Sequence, residues 1–355
     1  MAVNAPRMRG ALDAVPAFEA GLSRFGPVQH RMNFNENHFA PLPSVLDAVR
    51  ETAAGFNRYP DMFNSTLIEA IAGHFSVMPE NVAIGAGGAA VLQQLLLAAV
   101  DHGDEVVFPW LSFEAYPILS SVAGARQVRV PLSGVDQDLV AMAEAITDRT
   151  RLVFVCNPNN PTSTAVKQDA LDSFIDSVPE RVLIVLDEAY REFVRAPEVP
   201  DGISRYRDRP NVAVLRTFSK AYGLAGLRVA FTVAHPLVAR AVRKTALPFG
   251  VTRLAERAAV ASLRAADELF ARVETIVKER ERMRGTLREQ GWPVARSEAN
   301  FVWLPLAERS AAFGEACRRK GVFVRVFPDN GVRITVGEDS ANDVVLSVAA
   351  VFARR

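Results

Sequence analysis

Cysteine is nearly absent from this chain, with Cys156 and Cys317 the only two in 355 residues. They cannot form the disulfide framework of a small secreted domain, and they read as two buried thiols in a reducing compartment. Histidine is also scarce. His30, His38, His74, His102 and His235 form no H-E-x-x-H or other metal-ligand spacing, so no metal site is expected. Charge is almost balanced, at a net +1, which excludes the basic surface expected of a nucleic-acid binder. No run approaches the roughly 18 apolar residues of a membrane span. The first 25 residues lack the continuous apolar core of a signal peptide. These absences predict a soluble, cytoplasmic chain with neither nucleic-acid nor membrane partners. The G-x-S-x-G elbow of serine hydrolases and the G-x-x-x-x-G-K-[ST] phosphate loop are missing too.

What is present is a globular composition, 49% hydrophobic and 23% charged, on a chain long enough for two subdomains. Residues 1–43 are Pro-rich and irregular. Ser44 is the expected N-cap of a helix running to about Ala54, Asn57–Asp61 a loop, and Ser65–Phe75 a second helix. Apolar runs of three to five residues then alternate with helical patterns: Val82–Ile84, Glu105–Phe108, Gln127–Val130, Leu152–Cys156, Val182–Leu186 and Val212–Leu215. This predicts an α/β fold with a mostly parallel sheet covered on both faces. After Pro248 the pattern becomes α+β. A long helix is expected from Leu254 to Gln290 with Gly291 closing it, and its charge run Lys278–Arg284 reads as a solvated face. Short strands follow at Phe301–Leu304, Val322–Val326 and Val332–Val336. The expected division is an N-terminal segment with part of the small domain (1–45), a large domain (46–247) and a small domain (248–355).

Ligands of such sheets bind beyond the carboxyl ends of the strands. The chemically suggestive residues all lie there: the glycines after Ile84, Phe113, Asn157, Asp187 and Lys220. Lys220 stands among small hydroxyls and aromatics, with Arg216 and Arg228 at its flanks and no carboxylate from Val212 to Val233. Desolvation and nearby cations both disfavour an ammonium there, and such a lysine can form a Schiff base. Gly85-Ala86-Gly87-Gly88-Ala89-Ala90 fits G-x-G-x-x-A between a strand and a helix. The next strand does not end in the acidic residue a dinucleotide ribose requires, which argues against NAD but leaves phosphate binding at the helix N-terminus. Asp187 ends an apolar strand and needs a cationic partner; alone it could equally be a structural ion pair or a helix cap. Asn157 could merely brace its proline-flanked turn. Arg333 offers a bidentate clamp for a carboxylate, and Arg325 shares its strand-borne ambiguity.

Together, Asn35-Glu36-Asn37, Arg58-Tyr59-Pro60, Asn157-Pro158-Asn159-Asn160-Pro161, Asp187-Glu188-Ala189-Tyr190, Ser219-Lys220 and Arg333-Ile334-Thr335-Val336-Gly337 resemble the fold-type I pyridoxal-phosphate aminotransferases. The resemblance is to the histidinol-phosphate aminotransferase-like branch. Phe108–Pro117 and Arg216–Leu224 look most like its actinobacterial aromatic (phenylalanine) members. It implies a large domain with a seven-stranded-type sheet plus a small α+β domain, pyridoxal 5'-phosphate as cofactor, and a homodimer with shared active sites. Lys220 would carry the cofactor and move the substrate proton, while Asp187 would pair with the pyridine nitrogen. Tyr190 and Asn157 would bond the ring oxygen, and Phe113 would stack on the ring. Thr217, Ser219, Arg228 and the amides of Ala86, Gly87 and Gly88 would hold the phosphate, with Gly223 and Gly226 making room for it. Tyr59 would reach that phosphate from the other subunit. Arg333 would clamp the substrate α-carboxylate, with Asn35, Asn157 and Arg325 also at the substrate. The implied reaction transfers an amino group from an aromatic amino acid to an oxo-acid such as 2-oxoglutarate. Histidinol phosphate is the alternative substrate, and a decarboxylase or a non-catalytic cofactor-binding module are the remaining readings.

Overall fold

The computed structural model describes residues 8–13, 15 and 29–353. Residues 1–7, 14 and 16–28 of the Pro-rich N-terminal segment, part of the region assigned to 1–45, lie outside the described residues.

Among the described residues, eleven strands form two sheets. They are β1 (His30–Met32), β2 (Val82–Gly85), β3 (Glu105–Trp110), β4 (Arg126–Pro131), β5 (Thr150–Cys156), β6 (Leu183–Asp187), β7 (Val212–Thr217), β8 (Ala230–Ala234), β9 (Phe301–Leu304), β10 (Val322–Phe327) and β11 (Gly331–Thr335). The large sheet has seven strands in the order β2-β8-β7-β6-β5-β3-β4. Only β8 runs against its neighbours. Every residue of β2, β6, β7 and β8 is buried, as continuous apolar runs require when helices cover both faces. The edge strand β4 is different. It carries Arg126, Arg129 and Pro131 and is largely exposed or half-buried, which blunts edge-to-edge pairing. The second, small sheet has the order β1-β10-β11-β9, with β1 parallel to β10 and the other pairs antiparallel.

Several local expectations are corrected. The first helix spans Pro43–Ala53, so Pro43 rather than Ser44 opens it. Proline fits the first helical position because its fixed φ is already helical and its missing N–H needs no partner. The long helix is two helices, Arg253–Arg264 and Ala266–Glu289, broken at Ala265, whose φ of −97° and ψ of 31° leave the helical region. The break lets the first packs on the helices Pro43–Ala53 and Ser65–Phe75 while the second packs on Asp339–Ala353 and β9. Gly291, at φ +91°, closes the second, with the Trp292 amide donating to the Leu287 carbonyl at 3.0 Å. The charge run is not wholly solvated: Arg280 is buried and donates to the carbonyls of Phe193 and Ala299, each at 3.0 Å. Cys156 and Cys317 are both free and buried. Among the described residues, no helix is long and apolar enough to cross a membrane.

Candidate active site

The carboxyl ends of β2, β3, β5, β6 and β7 converge on Lys220, which follows β7 after a short turn. Lys220 is half-buried, and its Nζ donates to the Phe34 carbonyl at 2.8 Å. Desolvation, reinforced first by Arg333 and then by Arg228, lowers its pKa to about 7, against the opposing pull of Glu36 and Asp187. Arg216, expected from its proximity in sequence to act on the amine, instead enters a buried acidic network with Glu188, Glu192 and Asp201. The repulsive partner from outside the local stretch is Arg333, more than a hundred residues away in the chain.

Asp187 ends β6, is 3% exposed, and forms no ion pair among the described residues. Burial pushes its carboxyl up to about 6, opposed by the hydroxyl of Tyr116, which donates to Oδ2 at 2.8 Å, and by the Ala189 amide. Neither the structural ion pair nor the helix cap accounts for it. Tyr116 is fully buried and stacked on Phe154 at 4.5 Å, with Phe113 edge-on at 5.6 Å. It was missed as a site residue. Its signal was a three-residue offset from Phe113 at a helix start, which places both on neighbouring turns.

The Tyr190 ring lies 5.9 Å from Lys220 Nζ, and its hydroxyl accepts from Asn35 Nδ2 at 2.8 Å. Asn157 does brace its turn: its Oδ1 accepts from the Val166 amide at 2.8 Å and its Nδ2 donates to the Val166 carbonyl at 3.4 Å. Gly87 stands at φ +92° before the helix Gly88–Ala99. Arg228 Nη1 reaches Ser219 Oγ at 3.4 Å, and the Ser219 amide donates to Thr217 Oγ1 at 3.1 Å. A Cβ on Gly87 would lie 2.2 Å from Arg228 Nη2. Gly87 thus makes room for the Arg228 guanidinium, while a Cβ would meet Asn37 at 3.8 Å at Gly223 and nothing within 4 Å at Gly226.

Arg333 is buried on β11. It donates to Asn160 Oδ1 and to the Asn33 carbonyl, and its Nε has no partner among the described residues. Asn33 and Asn160 were not foreseen as its holders. Arg325, on β10, is ion-paired to Glu114. Tyr59 stands apart from this cluster: it is 77% exposed, stacked on Phe249 at 4.6 Å, and its carbonyl accepts from Arg253.

The residues fit the cofactor that the sequence resemblance implies. A buried carboxylate without a cation suits a protonated ring nitrogen. A half-buried amine held near neutrality suits an aldehyde. The start of the helix Gly88–Ala99, beside Arg228, Ser219 and Thr217, suits a phosphate, although the Gly87 amide itself donates to the Gly85 carbonyl at 2.8 Å.

The profile of the family described as aminotransferase class I and II matches residues 28–348, and the chain belongs to that family. It is 56% identical over 355 residues to the aromatic amino acid aminotransferase of Streptomyces avermitilis, covering 99% of each chain. It is 50% identical over 345 residues to the enzyme of the same name from Rhodococcus jostii, covering 97% of this chain and 95% of that one. The crystal structure of histidinol-phosphate aminotransferase from Sinorhizobium meliloti, in complex with pyridoxal-5'-phosphate, superposes with a TM-score of 0.89 at 31% identity, covering 98% of each chain.

Proposed function

We propose that this protein is a pyridoxal-phosphate-dependent aminotransferase that moves the amino group of an aromatic amino acid to a 2-oxo acid such as 2-oxoglutarate. The observation that carries the chemistry is the proximity of Asp187 and Arg333 to Lys220, which feels both charges, with none of the three in an ion pair among the described residues. Support for the aromatic substrate comes from the names of the relatives at 56% and 50% identity. The Phe301 and Phe327 rings, 5.5 and 5.9 Å from the Arg333 guanidinium carbon, agree with it.

Bound pyridoxal phosphate supplies an aldehyde for amines and a cationic ring that accepts the electron pair released when the substrate Cα–H bond breaks. Asp187 would keep the ring nitrogen protonated, and the Tyr116 hydroxyl favours the ionised form of that carboxylate. Tyr190 and Asn157 would bond the ring oxygen, Phe113 would stack on the ring, and Thr217, Ser219, Arg228 and the amides of Ala86 and Gly88 would hold the phosphate, joined by the Gly87 amide once it releases the Gly85 carbonyl. Arg333 receives the substrate α-carboxylate through Nε and one Nη, with Asn35 fixing the Tyr190 hydroxyl beside it. Orientation by this clamp puts the Cα proton within reach of Lys220 Nζ, which takes it as a base poised near physiological pH.

Residues 46–247 would then carry the cofactor, and 248–355, with the strand from the N-terminal segment, the substrate clamp. A homodimer completes the site. Phe56, Tyr59, Phe63 and Leu247 are each more than 60% exposed, and a groove of about 460 Å³ lined by Met62, Phe63 and Leu247 leads to Ala86. Such a patch calls for a partner, and a second copy seated there would bring its Tyr59 toward the phosphate site. The two free, buried thiols suit a cytoplasmic enzyme.

A second reading, histidinol phosphate as donor, is favoured by the second arginine, Arg325, next to Arg333. The deciding measurement is kcat/KM for phenylalanine against histidinol phosphate with 2-oxoglutarate as acceptor. A clear preference for phenylalanine is expected, and a preference for histidinol phosphate would replace the aromatic reading.

A further inference from the structure

Arg325 and Arg333 are direct partners across the antiparallel pair β10–β11. Side chains so placed share a face of the sheet, and like charges directly opposite repel. Both guanidinium carbons lie against one ring, that of Phe327, at 5.7 and 5.9 Å. Among the described residues, one carboxylate is ion-paired to this pair of cations. Glu114, next to Phe113 and far from β10 in sequence, binds Arg325 through both Nε and Nη2. Each side chain of that ion pair is 42% exposed, so it sits at the mouth rather than in the core. Arg333, buried beside it, keeps an Nε with no partner among the described residues. Two cations and one resident anion leave a place for one further negative charge.

We propose that Glu114 is a specificity-determining residue. By occupying Arg325, it closes the second anion position beside Arg333 and favours substrates that carry one carboxylate and an uncharged side chain. The inference rests on the reading that Arg333 takes the α-carboxylate, and it deepens that reading from a reaction to a substrate class. A ligand with a neutral distal group leaves the Glu114–Arg325 pair in place. A ligand with a distal carboxylate or phosphate must displace Glu114 before it gains a guanidinium. An ion pair exposed to this degree is worth about fivefold or less in an equilibrium. The device therefore discriminates between donors without barring a dicarboxylic acceptor.

The test uses the cofactor-loaded enzyme and two unreactive acids, 3-phenylpropionate and the dicarboxylate glutarate, titrated by calorimetry. In Glu114→Gln the affinity ratio of glutarate to 3-phenylpropionate should rise about fivefold, and added salt should shrink the gain. The double variant Glu114→Gln/Arg325→Gln should lose that gain, because the freed guanidinium is its source. An unmoved ratio in Glu114→Gln, or a gain that persists in the double variant, overturns the inference. Arg333→Ala separates the two readings. If it leaves 3-phenylpropionate binding intact, the α-carboxylate assignment is what fails. If it abolishes that binding while Glu114→Gln leaves the ratio unmoved, only the role of Glu114 fails.

Discussion

Two charge clusters occupy neighbouring positions at the ends of β6 and β7, and they are built on opposite plans. Asp187 and Glu188 are consecutive, and Arg216 and Lys220 lie four residues apart. Glu188 turns to Arg216, which also meets Asp201, with N–O distances of 2.7 and 2.9 Å, and Glu192 at 3.8 Å. Glu188 additionally accepts from the Gly202 amide at 2.9 Å. Asp187 turns the other way, to the Tyr116 hydroxyl and the Ala189 amide, and among the described residues it meets no cation and Lys220 finds only a backbone carbonyl. In the first cluster the charges are compensated inside the protein. In the second they await a ligand. A buried charge with its partner in place reads as structure, and one without reads as function.

The largest expected effects separate the two clusters. Lys220→Ala should lower the rate of amino transfer from phenylalanine by roughly 10²- to 10⁴-fold or more, the range for removing a positioned proton carrier. Stability should hold or rise, because the variant no longer desolvates an amine whose pKa is held to about 7. Single-turnover kinetics and urea titration on the same preparation check both halves. Near-normal turnover would break the distinction between the clusters.

Arg216→Met should do the reverse. It strands Glu188 and Glu192, both buried, together with Asp201, and removing one partner of such a network costs about 3–5 kcal/mol. Burial already pushes Glu192 up to about 7, so protonation should restore part of the loss as pH falls. Equilibrium unfolding at pH 8 and pH 6 measures both effects. A variant as stable as the parent at pH 8 would show that the network contributes nothing.

The two clusters also differ in how much of them could be read from the sequence. The convergence of Lys220, Asp187, Asn157, Phe113 and the Gly85–Ala90 turn was legible because each residue ends an apolar run, and parallel strands bring such ends together. The partners of the charges were not legible. Arg216 is nearer to Lys220 in sequence than Arg333 is, yet it points to the other face of β7 because strand neighbours alternate. Local propensity misled in a similar way around Ala265. Alanine is the strongest helix former, so nothing nearby marks the break, which follows from packing two helices on different neighbours. Arg280 was hidden by the alternating charges beside it, although its donors serve two buried carbonyls. Glu114 and Tyr116 were overlooked because their partners, Arg325 and Asp187, belong to strands far along the chain.

The smallest expected effect tests the second cluster at its hinge, the hydrogen bond from Tyr116 to Asp187. Burial raises the Asp187 pKa to about 6, and the Tyr116 hydroxyl opposes that rise. Tyr116→Phe should therefore move the pKa further up. The ionised carboxylate is the form that pairs with a protonated ring nitrogen, so activity is present above this pKa and lost as pH falls through it. The acidic limb of the kcat/KM profile should shift toward neutral pH, with a loss of about two- to tenfold near pH 5 and no more than about twofold near pH 7 if the bond contributes the usual 0.5–1.5 kcal/mol. Stability of the cofactor-free protein should follow the opposite sign. A carboxyl whose folded pKa lies above its unfolded value binds its proton more tightly when folded. Its contribution is complete below about pH 4 and is lost as pH rises through about 6. The variant should extend that loss to higher pH, and cofactor should abolish it by supplying the missing cation. If the acidic limb stays in place in Tyr116→Phe, the tyrosine serves Asp187 only as packing, and the uncompensated carboxylate owes its ionisation to the ring alone.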